Sequence, residues 1–133
     1  MKLLLFIVLF SINIYCQTSS VNCDSLIYEE HRGCLYVETM AEPVGGIDSL
    51  QSRLIYPTKA LENNIEGKVY VIVVIDSIGN QFCTKVIKSL GYGCDEEALR
   101  LVKTSKFIPG TLRGKPYTMP VSIPIIFSHT DEN

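Results

Sequence analysis

Histidine is nearly absent from this 133-residue chain, with His31 and His129 as the two examples. A thiol enzyme needs a cysteine beside an imidazole and an orienting group. Neither histidine offers that: His129 sits in a polar tail and His31 in a segment without clear periodicity. Cys23, His31 and Cys34 are the one conceivable metal set, and their spacing fits no zinc pattern. An excess of positive charge is missing too. The 12 Lys and Arg are scattered among 14 Asp and Glu, for a net charge of −2, so nucleic acid finds no basic face. A phosphate loop is also lacking, because Gly91-Tyr92-Gly93 has neither a third glycine nor a following Lys-Ser or Lys-Thr. Glu96 and Glu97 are adjacent, so they diverge on a helix and cannot act as a carboxylate pair. These absences point away from an enzyme, a metal site or a cofactor.

A long apolar run is missing as well. Leu3 to Ile14 is almost unbroken in hydrophobicity after the basic start Met1-Lys2. A bilayer span needs about 20 such residues, and this run has the length of a secretory signal core. The expectation is a signal peptide over residues 1–16, cleaved to leave Gln17, and hence a periplasmic chain. Lipidation at Cys16 is disfavoured by Tyr15, since that position normally holds a small residue; retention as an anchor is the remaining option. Residues 17–41 read as an N-terminal extension, 42–127 as one folded domain and 128–133 as a polar tail. Export makes disulfides the natural reading of Cys23, Cys34, Cys83 and Cys94. Four cysteines allow three pairings, and the sequence does not choose among them. Cys23–Cys34 is the local option, and Cys83–Cys94 would tie a strand to the following helix. Buried or free thiols are the alternative.

What is present is a globular composition, 47% hydrophobic and 20% charged. Leu35-Tyr36-Val37 reads as a short strand, ended by Glu42-Pro43-Val44-Gly45-Gly46. Apolar residues at 47, 50 and 54 have helical spacing, and Pro57 suits the first turn of a second short helix. Lys68 to Asp76 is apolar on both faces, as expected of a central strand. Asp76-Ser77-Ile78-Gly79-Asn80 is a hairpin turn leading to a second strand over Gln81 to Ser89. Asp95-Glu96-Glu97 opens a helix that Lys103 and Lys106 close, in the sense favoured by the helix dipole. A Pro-Gly loop then leads into a last strand. These pieces predict an α+β fold: a small three-stranded sheet, antiparallel or mixed, in the order second–first–third, with helices on one face.

That last strand is Tyr117-Thr118-Met119-Pro120-Val121-Ser122-Ile123-Pro124-Ile125-Ile126-Phe127. Pro120 and Pro124 are four residues apart, so both remove a donor from the same side. Prolines in sheets are confined to edges and bulges, so the depleted side faces outward. Met119, Val121, Ile123 and Ile125 keep their N–H groups for the first strand. Such an edge is blunted against aggregation, yet its outward carbonyls remain available to a partner strand.

Several motifs recur in a familiar order: Tyr56-Pro57, Ala60, Gly67-Lys68-Val69, Asp76-Ser77-Ile78-Gly79, Asp95-Glu96-Glu97-Ala98-Leu99, Phe107-Ile108-Pro109-Gly110, Gly114-Lys115-Pro116 and Pro124-Ile125-Ile126-Phe127. Together they resemble the TonB C-terminal domain family of periplasmic energy transducers. The resemblance implies a domain that takes a short peptide from an outer-membrane receptor by strand addition along Tyr117 to Phe127, linked to TonB-dependent transport. In that family a proton-driven inner-membrane complex grips a transmembrane helix, and a Pro-rich spacer crosses the periplasm. Here the N-terminal apolar run is short, and Pro43 is the sole proline between residues 17 and 56. The expectation is therefore a protein-binding module without a motor behind it. The alternative is a standalone envelope module that self-associates, as a homodimer, through the sheet edge or through the outer face of the first strand at Tyr70, Ile72 and Val74.

Overall fold

The computed structural model describes Cys23, Asp24, Ile27 and residues 37–129. The expected signal peptide, Cys34, and the first two residues of the Leu35–Val37 strand lie outside the described residues.

A short strand β1 (Glu42–Pro43) is followed by helices α1 (Gly46–Gln51) and α2 (Thr58–Glu62). Strands β2 (Gly67–Ile75) and β3 (Gln81–Lys88) form the hairpin, and α3 (Cys94–Lys103) crosses over. The chain then runs through β4 (Phe107–Ile108), β5 (Gly110–Leu112) and β6 (Lys115–Tyr117) into β7 (Met119–Phe127). The main sheet is antiparallel in the order β3-β2-β7, which is the predicted second–first–third arrangement.

The central position of β2 follows from its side chains. Val69, Val71, Val73 and Ile75 face the helices and pack with Ala98, Leu101 and Val102 of α3 and with Leu50 and Ala60. From β7, Met119, Val121, Ile123, Ile125 and Phe127 join the same core. The hairpin turn closes because the Asp76 carboxylate accepts the N–H groups of Ile78 and Asn80, at 3.0 and 2.8 Å. Gly79 has φ of +87°, and a Cβ there would lie 2.5 Å from the Phe107 carbonyl oxygen, so both conformation and space demand glycine. At the start of α3, the Asp95 carboxylate gathers the Leu90 and Gly91 N–H groups and the Ser89 hydroxyl. Asp95, Glu96 and Glu97 occupy its first turn and Arg100 and Lys103 its last.

The other face of the sheet is where sequence and structure part. Ile72 and Val74 form a second buried cluster with Ile27, Phe82 and Cys83. A bulge in β3 makes this possible. Ile72 pairs with Lys85 and Val74 with Phe82, so two steps on β2 are matched by three on β3. Cys83 sits in that bulge with φ of +53°. Phe82 and Cys83 are thereby turned to the same face, which regular alternation would forbid. Cys83 then bonds Cys23, at 5.2 Å between Cα atoms, and Lys85 reaches Asp24 at 3.2 Å. The observed pairing is thus neither Cys23–Cys34 nor Cys83–Cys94. Cys94 is a free, fully buried thiol in the first turn of α3. Helices α1 to α3 share one face as expected, but the opposite face is partly covered by Ile27. This also covers one of the two surfaces expected to support self-association, the outer face of the first strand, since Ile72 and Val74 are buried and Tyr70 carries Lys88 over its ring at 5.6 Å.

The segment read as a Pro-Gly loop contains structure of its own. Phe107 and Ile108 pair with Pro43 and Glu42, so Glu42–Pro43 is a strand and not merely a terminator. Then β5 and β6 form a hairpin turning at Arg113-Gly114, both with positive φ (51° and 73°), the geometry of a tight two-residue turn. Glu38 accepts the Gly114 N–H at 3.0 Å, and the Thr39 and Thr111 hydroxyls meet at 2.8 Å. Tyr117 therefore belongs to β6, where it pairs with Gly110, and Thr118 lies between strands.

Candidate functional site

The sheet has two edges, and β7 forms one of them. Its alternation is regular: Met119, Val121, Ile123, Ile125 and Phe127 are buried, while Pro120, Ser122, Pro124 and Ile126 project to the opposite face with partial or full exposure. Its register with β2 is unbroken from Gly67↔Phe127 to Ile75↔Met119, and Pro120 and Pro124 stand opposite Val74 and Tyr70.

In an antiparallel pair, successive residues alternate between bonding inward and bonding outward. Two observations fix the phase here. Proline has no N–H, so positions 120 and 124 cannot donate to β2. At the even-numbered Ile126, the backbone N–H donates to Gln51 Oε1 at 3.1 Å, and its carbonyl accepts from Gln51 Nε2 at 2.5 Å. Even positions thus face outward, as the proline spacing predicts. Ser122 presents both an N–H and a carbonyl at the edge, and Pro120 and Pro124 present carbonyls alone.

Gln51 is a residue that sequence reasoning did not single out. It is the last residue of α1, and its amide makes the same two-bond exchange with Ile126 that a neighbouring strand residue would make. The segment after α1 is pinned by α3. Glu97 Oε1 accepts the Ile55 N–H at 2.8 Å, Arg100 Nη2 donates to the Arg53 carbonyl at 3.2 Å, and Arg53 Nη2 donates to the Ser105 hydroxyl at 2.7 Å. Arg100 also donates to both Glu97 oxygens, at 2.8 and 2.6 Å. That guanidinium holds the Glu97 carboxyl below its ordinary range; burial opposes the effect and the Ile55 N–H adds to it.

Elsewhere the described residues offer little chemistry. No three His, Cys, Asp or Glu among them converge to hold a metal. An open hollow between Ile78–Gln81 and Ser105–Phe107 brings Asn80, Gln81 and Lys106 together, without a nucleophile and base in contact. Burial, then the Asp95 and Glu96 carboxylates, push the Cys94 thiol up, which makes it a poor nucleophile. Among the described residues, no helix is long and apolar enough to cross a membrane.

The family described as Gram-negative bacterial TonB protein C-terminal matches residues 52–129. Protein TonB of Vibrio cholerae serotype O1 is 37% identical over 73 residues, covering 54% of this chain and 30% of that protein. This chain therefore matches less than a third of that relative's length. Two solution structures of the Helicobacter pylori TonB C-terminal domain are similar. One has a TM-score of 0.49 at 26% identity over 65% of this chain and 79% of that one. The other has 0.48 at 30% identity over 62% and 87%. The match over residues 52–129 takes in α2, the whole β3-β2-β7 sheet and the exposed edge of β7, and the chain belongs to the TonB C-terminal domain family, whose members are non-enzymatic.

Proposed function

We propose that this domain captures an extended segment of a protein partner, of the outer-membrane receptor type, by adding it as a strand to the outer edge of β7. The observation that carries the reading is the phase of β7. Its odd-numbered backbone groups are committed to β2, and its even-numbered groups face outward at a sheet edge. Strand addition draws affinity from main-chain hydrogen bonds and selectivity from alternate side chains. The β7 edge supplies the first through Pro120, Ser122 and Pro124, and the exposed Ser122 side chain contributes to the second. Family membership supports a role in TonB-dependent transport.

The reading puts the domain, residues 42–127, in the periplasm, exported on residues 1–16. An intact mass beginning at Gln17 would support that placement and end any role that needs a membrane-held N-terminus. The binding itself is tested by titrating the 15N-labelled protein with capped peptides that tile the N-terminal segments of outer-membrane receptors from the same cell. The Ser122 amide is expected to shift most. Saturable shifts confined to β3 or the β5–β6 hairpin would refute the proposal.

A further inference from the structure

We propose that Gln51 fixes the register and the length of the strand that β7 accepts. The inference rests on the strand-addition reading and adds to it a residue that decides which segments fit.

Four outward positions lie along β7: Pro120, Ser122, Pro124 and Ile126. An unmodified edge would offer an N–H and a carbonyl at each. At Ile126 both groups are already engaged by the Gln51 amide. A side-chain amide carries one donor group and one acceptor in the geometry of a peptide unit, so it ends the edge as a strand residue would. Gln51 cannot easily drift away. It closes α1, whose C-terminal turn is sealed by the Ser52 N–H on the Asp48 carbonyl at 2.9 Å. The chain beyond is clamped to α3 through Glu97 and Arg100.

What remains open runs from Pro120 to Pro124, about 14 Å of strand at roughly 3.4 Å per residue. Within it the donors are asymmetric. An incoming residue opposite Ser122 exchanges two bonds. Incoming residues opposite Pro120 and Pro124 can each donate one bond to a carbonyl and receive none. The fitting segment is therefore a short extended peptide with free N–H groups at three alternate positions and no proline at any of them. Its chain must turn away, or end, before it reaches Ile126. Register is set at the Gln51 end, because the point where the segment stops or turns away must fall between Pro124 and Ile126.

The test uses the full exported chain with the Cys23–Cys83 bond intact, as wild type, Gln51→Ala and Gln51→Glu. Glutamate keeps the acceptor for the Ile126 N–H but loses the donor to its carbonyl. The probes are the best receptor-derived peptide cut to span Pro120 to Pro124, and a version two residues longer on the Ile126 side. Amide hydrogen exchange is read at Ser122 and Ile126 with and without peptide. In wild type, both peptides should slow exchange at Ser122 by about tenfold or more and leave Ile126 unchanged. In Gln51→Ala the longer peptide should also protect Ile126 and bind more tightly than the shorter one. Gln51→Glu should fall between, because a charged acceptor still competes for the N–H. Protection of Ile126 by the longer peptide in wild type would overturn the inference. So would protection at Ser122 with no change at Ile126 on removing Gln51. If no peptide protects Ser122 in any of the three proteins, the strand-addition reading fails and takes this inference with it.

Discussion

Breaking the Cys23–Cys83 bond should destabilise the domain and uncover the second face of its sheet. The bond closes a loop with a sequence separation of 60. On the chain-entropy relation, a loop of that size restricts the unfolded state by roughly 4 kcal/mol at 25 °C. A second contribution comes from Ile27, 6% exposed against Ile72, Val74 and Phe82. Burying an isoleucine is worth about 1.5–3 kcal/mol, offset by the entropy of ordering the segment that carries it. The Lys85–Asp24 pair, with both side chains more than half exposed, adds little. If the segment stays docked without the bond, the full 4 kcal/mol appears as lost stability. If it leaves, the loss is smaller but the Ile72–Val74 patch becomes exposed.

The two regimes are separable. The double substitution Cys23→Ser with Cys83→Ser is compared with wild type by urea unfolding. At an m-value of about 1.5 kcal/mol/M, a loss of 4 kcal/mol moves the midpoint down by about 2.5 M. Binding of a hydrophobic dye before the unfolding transition reports the patch. The expected result is a midpoint lowered by about 1–2.5 M, with dye binding rising toward the low end of that range. Coincident midpoints with no added dye binding would refute the argument, because they would mean that the bond neither restricts the unfolded chain nor holds a cover on the sheet.

Two further outcomes follow from the first turn of α3. Burial alone would raise the Asp95 carboxyl, yet the Ser89 hydroxyl and the Leu90 and Gly91 N–H groups overcome it and hold the group low; Glu97 is held low by Arg100. A carboxylate depressed in the folded state contributes its stability above its unfolded value, about 4, and loses it as pH falls through the folded one. The urea midpoint should therefore be flat from neutral pH to about 5 and fall below about 4, less steeply in Asp95→Asn, and an equally steep fall in that variant would contradict the assignment. Cys94, fully buried and with its thiol pushed up, should resist iodoacetamide at neutral pH in the folded protein and react once urea unfolds it, as read by mass spectrometry of the peptide; rapid labelling of the folded chain would show that its surroundings are open.

The sheet order was legible because β2 carries apolar residues on both faces, which only a central strand can bury. The outward side of β7 was legible because proline lacks an N–H, a fact of valence that no packing can override. The disulfide was not legible. It depends on a bulge that turns Cys83 to the face of Phe82, and a bulge leaves no periodic trace in eight residues. The short pairings of β1 with β4 and β5 with β6 escaped for a similar reason, since strands of two or three residues are too brief to show alternation. Gln51 escaped because a polar residue closing a six-residue helix looks like any solvated position until the register of β7 brings Ile126 beside it.

The same donor arithmetic decides between a foreign strand and a second copy of this chain. Two β7 edges meeting antiparallel about Ser122 would exchange two bonds there. Each Pro120 would then face a Pro124 of the other copy, carbonyl against carbonyl with no N–H between them. A peptide with ordinary N–H groups makes four bonds to the same stretch and strands half as many carbonyls. At about 1 kcal/mol per net bond and 1–3 kcal/mol per buried orphan carbonyl, the peptide is favoured by about 4 kcal/mol at the low end of these values, close to a thousandfold. The second possible dimer surface, at Ile72 and Val74, lies beneath Ile27. The protein is therefore expected to sediment as a monomer over the micromolar range. Replacing both prolines with threonine should restore two edge donors and bring on concentration-dependent association. A wild-type chain that dimerises tightly through β7, with Ser122 protected in the absence of peptide, would show that the prolines do not discriminate against self-pairing.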